Sequence, residues 1–155
     1  MKKLSLLITL IFGMLILSCS SDENDNPSNL SKPELLIKNS PWTFNQYELL
    51  NVIDAGTSTM TQQEIENDYN MKYSGFMYTF NENGVGYVSS QWGTFNWQWE
   101  IINSNQLRIN WEMGDVDILD NLNVTESQFD YEAVSITFDD SANSQIKHFG
   151  KTIFK

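Results

Sequence analysis

Apolar and polar residues alternate along most of the chain after its first forty positions. Trp97 and Trp99 alternate with polar neighbours, and so do Ile109 and Trp111 a few residues later. A period of two is typical of a β-strand that has one apolar and one polar face. Residues 103–105 form a polar connection of hairpin length between the two segments. The two segments are therefore predicted to pair as neighbouring antiparallel strands.

The same pattern predicts eight strands in succession, separated by turns rich in Asn, Asp, Ser and Gly. They cover residues 42–53, 76–80, 85–89, 94–101, 107–111, 115–123, 129–138 and 145–154. Asp120 and Asn121 interrupt the alternation of the sixth strand, which predicts a bulge or a shortened strand there. In the seventh strand the apolar positions change parity, and a bulge near Ala133 would explain the change.

A single interruption between the strands is long enough to hold a helix. It contains Thr61-Gln62-Gln63-Glu64, a capping box, which predicts a short helix over residues 62–69. The absence of a repeated strand–helix–strand order disfavours a parallel sheet. Eight sequential antiparallel strands can close into a barrel without exposed edges. The prediction is therefore an all-β antiparallel meander, with an open sheet or a sandwich as the alternative.

The first eighteen residues have the pattern of a secretory signal peptide. Met1-Lys2-Lys3 is basic, and residues 4–17 form an apolar run that is shorter than the roughly twenty residues of a membrane span. Ile16-Leu17-Ser18-Cys19 resembles the bacterial lipobox, in which the Cys is acylated and becomes the new N-terminus. Because Cys19 is the sole cysteine, we expect signal peptide 1–18 to be removed and Cys19 to carry the lipid that holds the protein on a membrane.

Residues 19–39 are polar and acidic, and no periodic apolar face begins before Leu35. This composition predicts a flexible tether between the lipid and a folded domain at residues 40–155. Ser21-Asp22-Glu23 resembles the export tag of surface-exposed lipoproteins of Bacteroidetes, and plain linker is an equal alternative. The expected location is the outer membrane, either exposed at the cell surface or facing the periplasm.

Composition narrows the possible functions. The 155 residues carry a formal charge of −11, and removal of residues 1–18 takes away two lysines and changes it to −13. A nucleic-acid partner is not expected, because phosphate binding needs clustered basic residues. Apolar residues make up 41% of the chain, enough for a globular core. The expected state is a monomer.

The sequence contains few of the residues that catalytic sites commonly use. One Cys and one His exclude an internal disulfide, a multi-ligand zinc site and most nucleophilic triads. His148 is predicted to be a hydrogen-bonded structural residue, since no nucleophile motif accompanies it. Asp115, Asp117 and Asp120 form an acidic cluster that lacks the glycine turn and distal Glu of a calcium loop. We therefore expect no catalysis, no metal and no cofactor.

Several segments together resemble the lipocalin-like domain of small secreted lipoproteins of Bacteroidetes. They are Trp42 in the first strand, FNENGVG at 80–86, FNWQW at 95–99, NQLRI at 105–109 and LNVTESQF at 122–129. Their order and spacing carry the resemblance, since each one alone is a common hairpin pattern. Ser40 occupies the place of the glycine that classical lipocalins carry two residues before the first-strand Trp. The resemblance implies a lipocalin-like barrel over residues 40–155.

Aromatic residues on the apolar strand faces are the remaining indication of function. An eight-stranded barrel is just wide enough to be filled by side chains or to hold one small ligand. We expect this barrel to bind a small, partly apolar molecule. The candidate ligand-binding residues are Tyr78, Trp97, Trp99, Trp111 and Tyr131. The alternative is a filled barrel that serves as a scaffold for surface interaction or adhesion, which an exposed loop aromatic such as Trp92 would favour.

Overall fold

The computed structural model describes residues 30–155, which contain eight antiparallel strands closed into a barrel. The strands follow one another around the barrel in chain order, and the last pairs with the first. They are β1 (Trp42–Asp54), β2 (Met77–Asn81), β3 (Val85–Ser90), β4 (Gly93–Asn103), β5 (Gln106–Trp111), β6 (Val116–Val124), β7 (Phe129–Asp139) and β8 (Ser144–Phe154). The predicted antiparallel barrel of eight strands is confirmed.

Within residues 30–155, two α-helices accompany the strands, whereas the sequence predicts one helix. They are α1 (Lys32–Lys38) and α2 (Gln62–Tyr73), and a short 3-10 turn (Glu82–Gly84) joins β2 to β3. The capping box begins α2 as predicted, since the Thr61 side chain accepts from the Glu64 backbone and the Glu64 carboxylate accepts from the Thr61 backbone N–H at 2.7 Å. The helix continues one turn past residue 69.

Helix α1 corrects the prediction that all of residues 19–39 form a flexible tether. Ser31 and Glu34 form a second capping box, with the Ser31 backbone N–H donating to Oε2 of Glu34 at 2.8 Å. Leu35 and Leu36 are buried against one end of the barrel. The tether prediction is therefore wrong for residues 32–38.

Helix α1 could not be predicted from the periodicity of apolar residues. Its buried residues, Leu35 and Leu36, are adjacent and show no helical spacing, and the surface that buries them belongs to the folded barrel. The Trp42 indole Nε1 donates to the Leu36 carbonyl at 2.9 Å, and the Lys32 ammonium donates to the Leu122 carbonyl. Residues 1–29, which include the predicted signal peptide, Cys19 and most of the tether, lie outside the described residues.

Aromatic side chains fill the end of the barrel that α1 covers, which we call the floor. Phe129 and Phe154 stack with their ring centroids 4.4 Å apart, and Trp42 meets Phe129 edge-on at 5.3 Å. Phe80 packs edge-on against Trp99 at 5.3 Å. Offset and edge-to-face contacts of this kind stabilise cores beyond the burial of area alone. The floor is therefore a solid core.

Two pairings between neighbouring strands of the barrel wall are shorter than the others. β1 pairs with β2 at only Trp42 and Thr43, and β6 pairs with β7 through Asp120, Asn123 and Val124. Both pairings lie near the floor, so the strands separate toward the other end. We call these places the β1/β2 seam and the β6/β7 seam.

The irregularity in β6 lies where the sequence predicts it, whereas the bulge predicted in β7 is absent. The register of β6 shifts between Asp120 and Asn123, and Asn121 has a positive φ of 50°. β7 pairs with β8 along Phe129–Asp139 without a shift. The prediction of a bulge near Ala133 is therefore wrong.

The change of parity in β7 has another cause. Val134, Ile136 and Phe138 point outward and are 52%, 52% and 49% exposed. The inward positions between them are the polar residues Ser135 and Thr137. Their hydroxyls are within hydrogen-bonding distance of Tyr69 and His148 inside the barrel. β7 thus presents an apolar outer strip, formed by Val134, Ile136 and Phe138, beside the β6/β7 seam.

Candidate ligand-binding site

Helix α2 covers the β1/β2 seam. The Asn70 side chain accepts from the Tyr47 backbone N–H at 2.7 Å and donates to the Tyr47 carbonyl at 3.2 Å. The Glu66 carboxylate accepts from the Leu49 backbone N–H at 3.0 Å. Side chains of the helix thus take the place of a pairing strand, which satisfies backbone groups that would otherwise form an open edge.

The same helix places tyrosines inside the barrel. Tyr69 and Tyr73 are four positions apart and share one face of the helix. Their rings stack at 4.3 Å between centroids, and the Tyr47 ring of β1 stacks on Tyr69 at 4.0 Å. The hydroxyl of Tyr69 lies 3.4 Å from the Ser135 hydroxyl of β7. α2 therefore builds one side of the barrel interior.

A cavity of about 710 Å³ lies between these tyrosines and the opposite wall. Its inner surface includes Tyr69, Tyr73, Tyr78, Tyr131 and Leu119. The volume falls within the range of roughly 300–1,000 Å³ that is typical of small-molecule sites. Two smaller grooves, of about 500 and 530 Å³, lie along β4 and β5. Of these three spaces, the largest is the one that extends into the barrel.

The cavity reaches the outer surface through the β6/β7 seam. Its lining includes Val116 and Ile118 on β6 and Val134 and Ile136 on β7, all four of which point outward. The backbones of β6 and β7 are not paired at this height. The opening is thus a lateral gap in the wall, bordered by apolar side chains.

A carboxylate stands at this opening. Asp117 faces the interior, because it pairs with the buried Ile109 of β5. Its Oδ2 accepts a hydrogen bond from the Trp111 indole Nε1 at 2.7 Å. Both side chains line the cavity. The bond holds the carboxylate against an aromatic ring at the mouth.

The tyrosine hydroxyls of the cavity are protonated at neutral pH. Burial raises the pKa of Tyr69, Tyr73, Tyr78 and Tyr131, and neighbouring groups have smaller effects in both directions. For Tyr73 and Tyr78 the negative charge of Asp117 raises the pKa further. The cavity therefore offers neutral hydroxyl donors on an aromatic surface, together with a carboxylate.

The structure brings three of the five predicted ligand-binding residues together. Tyr78, Trp111 and Tyr131 line the cavity. Trp97 and Trp99 do not line it. The Trp97 ring packs edge-on against Trp111 at 5.1 Å, and the Trp99 indole donates to the Val85 carbonyl in the floor.

Gly86 explains the position of Trp97. A Cβ on Gly86 would lie 2.1 Å from the Trp97 Nε1 and 2.5 Å from the Thr79 carbonyl. The indole therefore occupies the space that a side chain at residue 86 would need. This close approach agrees with the general meaning of a glycine inside a strand.

Sequence reasoning missed the contributions of Tyr69, Tyr73 and Asp117. Tyr69 and Tyr73 are four positions apart, a spacing that places two side chains on one face of a helix. The predicted helix ended at residue 69, so this pairing was not recognised. For Asp117 the local pattern is misleading, since its neighbours Val116 and Ile118 are the apolar residues and point outward. Pairing with β5 decides which face of β6 lies inside.

His148 is buried and hydrogen-bonded through both ring nitrogens. It is fully buried, with Nδ1 2.7 Å from the Tyr47 hydroxyl and Nε2 3.2 Å from the Thr137 hydroxyl. Burial lowers the pKa of the imidazole, although the charge of Asp68 opposes this. Both ring nitrogens are thus engaged inside the barrel.

The acidic cluster of β6 is divided between the two faces of the strand. Asp117 faces the cavity, whereas Asp120 accepts a hydrogen bond from the Gln106 amide at 2.6 Å. In the part of the chain that the structure describes, no group of three or more His, Cys, Asp or Glu side chains could hold a metal ion.

Comparisons with protein-family models, curated proteins and solved structures found no match to this chain. The resemblance to lipocalin-like lipoproteins therefore stays a prediction from the sequence, while the eight-stranded barrel is a property of the structure. Within residues 30–155, neither helix has the length and apolar character needed to cross a bilayer.

Proposed function

We propose that this protein is a membrane-anchored lipoprotein whose barrel binds a small, partly apolar molecule without changing it chemically. The observation that carries the proposal is the cavity of about 710 Å³, which is lined by eight aromatic side chains and opens through the β6/β7 seam. Aromatic surface with a few polar groups is the usual lining of small-molecule sites.

The floor supports the proposal, because its aromatic residues are different from those that line the cavity. Phe129, Phe154 and their neighbours already fill that end. Phe95 faces the interior opposite Val88, yet it remains 39% exposed. A ligand that covered such surface would gain roughly 25 cal/mol for each Å² of apolar area.

The anchoring part of the proposal rests on the lipobox resemblance at Cys19. Helix α1 packs against the floor, so a tether attached to it would approach the barrel from the floor end. Replacement of Cys19 by Ser is expected to release the protein from the membrane fraction in soluble form. Unchanged membrane association would contradict the anchor, and protease treatment of intact cells would separate a surface location from a periplasmic one.

A second candidate function is surface interaction or adhesion, with the barrel as a scaffold. The exposed Trp92 favours it, since this loop residue is 55% exposed and rests edge-on against Phe76 at 5.4 Å. The outer strip of β7 adds apolar surface on another face. We favour ligand binding because the scaffold function assumes a barrel that side chains fill, and it gives the cavity no role.

Fluorescence titration with N-phenyl-1-naphthylamine, an uncharged aromatic probe, tests the proposal. We expect saturable enhancement at one probe per chain. Ala133→Trp should abolish it, because Ala133 lines the cavity and a large ring there would fill the space. Ala55→Trp is the matched control, since Ala55 lies exposed in the loop after β1.

The two variants decide between the functions. Circular dichroism should give the same β-sheet spectrum for both variants and for the unmodified protein. Equal probe binding by Ala133→Trp and Ala55→Trp, or enhancement that never saturates, would overturn the ligand-binding proposal and favour the scaffold function.

A further inference from the structure

The charges of the cavity have one sign. Among the described residues that line it, the charged ones are Asp117 and Asp120, and no Lys, Arg or His is present. The tyrosines are neutral donors, as argued above. An anionic group near Asp117 would face this carboxylate, which is unfavourable in a partly desolvated site. The Lys72 ammonium lies on the α2 side of the cavity, over the Tyr73 ring and 5.5 Å from its centroid.

Asp117 is available to a ligand. The three ion pairs formed within residues 30–155 are Lys38–Glu126, Arg108–Glu100 and Lys151–Asp130, so none of them neutralises Asp117. Its Oδ2 is held by the Trp111 indole, and the residue is exposed at the mouth. A charged group bound here would keep part of its hydration.

Aromatic rings lie next to this carboxylate. Trp111 is bonded to it, and Phe95 lines the same space. The faces of aromatic rings carry negative potential and attract cations, with Trp the strongest. A carboxylate combined with aromatic faces is a favourable environment for an organic ammonium group.

We infer, on the basis of the proposed function, that the ligand is an amphiphilic organic cation: an amine or quaternary ammonium group joined to an apolar body. The ammonium group binds at the mouth, beside the Asp117 carboxylate and against the face of the Trp111 ring. The apolar body extends inward past Phe95 toward Ala133. The apolar borders of the β6/β7 seam admit the ligand from the side.

Three probes that share one octyl chain test the inference: octyltrimethylammonium, the neutral octyl glucoside and octyl sulfate, each below its micelle concentration. Their affinities are measured by displacement of N-phenyl-1-naphthylamine. We expect the cation to bind about tenfold more tightly than the sulfate, and its advantage to shrink as salt is added, since exposed charges are screened.

Asp117→Asn removes the charge and keeps an oxygen that can accept from Trp111. We expect this variant to bind the cation about fivefold more weakly, as for a partly exposed ion pair, with unchanged affinity for the neutral glucoside. Glu82→Gln is the control, because it makes the same change of charge in the turn between β2 and β3. Its cation affinity should equal that of the unmodified protein.

The outcomes separate the inference from the proposed function. Equal affinities for the three octyl compounds, preference for the sulfate, or an Asp117→Asn variant that binds the cation normally would each overturn the cationic ligand and leave ligand binding intact. Failure of all three probes and of N-phenyl-1-naphthylamine to bind would instead remove the proposed function itself.

Discussion

The β1/β2 seam and the β6/β7 seam are similar gaps that the chain treats differently. In both, two strands pair near the floor and then separate. At the first seam, Asn70 and Glu66 of α2 bond to the backbone of β1. At the second, β6 and β7 diverge, and apolar side chains such as Ile118 and Ile136 border the gap. A barrel of this size therefore keeps a cavity by covering one seam and leaving the other open.

The largest effect is expected from weakening the cover of the first seam. Ile65 is a buried residue of α2, and Ile65→Ala should lower the free energy of unfolding by about 2–5 kcal/mol, through lost burial and a cavity. The matched control is Ile136→Ala at the open seam, where the side chain is exposed and the change should stay within about 0.5 kcal/mol. Urea denaturation measures both, and equal losses would contradict the difference between the seams.

A smaller loss is expected from removal of a helix-to-strand bond. Asn70→Ala leaves the Tyr47 backbone groups without their side-chain partner, which should cost about 1–3 kcal/mol in unfolding free energy. Asn67→Ala is the control, since Asn67 bonds only to the Gln63 side chain on the exposed face of α2. If both variants unfold at the same urea concentration, the side chains of α2 do not replace a strand.

The pH dependence of stability should report on His148, which lies beside the covered seam. Its pKa is lowered in the fold by burial, so the unfolded chain takes up the proton first as the pH falls. Stability is full above the unfolded pKa of about 6.5 and decreases below it, by at most about 1.4 kcal/mol per pH unit. Urea midpoints at pH 7.5, 6.5 and 5.5 should fall in the native protein and stay nearly level in His148→Gln. Parallel slopes would exclude His148 as the origin.

Asp130, in the paired part of the β6/β7 seam, should make the free energy of unfolding depend on pH in the acid range. Burial alone would raise the pKa of this carboxyl, but hydrogen bonds from Gln128, Asn123 and Lys151 outweigh burial and lower it. The stabilisation is therefore complete above the unfolded pKa of about 3.9 and is lost as the pH falls through the folded value. Asp130→Asn should remove the part of the acid transition below pH 4 and leave the step near pH 6 unchanged. A variant that keeps the low-pH loss would contradict this assignment.

The smallest expected difference is in the free energy of local opening at individual backbone amides. The Tyr47 and Leu49 N–H groups donate to side chains of α2, so they should exchange slowly with solvent deuterium. Amides of β6 that point into the open seam between Val116 and Leu119 have no strand partner there and should exchange with little protection. Amide exchange followed by NMR measures both sets. Equal protection would indicate that the second seam is closed in solution.

Local patterns were sufficient for the strands and for the start of α2. Alternation identified all eight strands because each has one buried face, and the capping box at Thr61 is a contact within four residues. The break at Asp120 and Asn121 also marked the irregularity of β6. These features depend on neighbours in the sequence, so they can be recognised without knowledge of the fold.

The candidate site was only partly accessible to the same reasoning. Tyr78, Trp111 and Tyr131 were identified from strand parity, because they lie on the regular inner faces of their strands. Asp117 was not assigned to the cavity, since an acidic residue between two apolar ones predicts the opposite orientation. The apolar residues at the end of β7 suggested the wrong inner face in the same way. The residues that point inward there are Ser135 and Thr137, which bond to side chains inside the barrel.

The sequence by itself therefore determined the order, number and pairing direction of the strands, through local periodicity and turns. Tertiary structure alone decided where the wall separates, which face of β6 and β7 lies inside, and that Leu35 and Leu36 fold as a helix against the floor. The physical reason is that these features depend on contacts between residues far apart in the chain. A cavity is the volume that such contacts leave unfilled, and no local pattern records it.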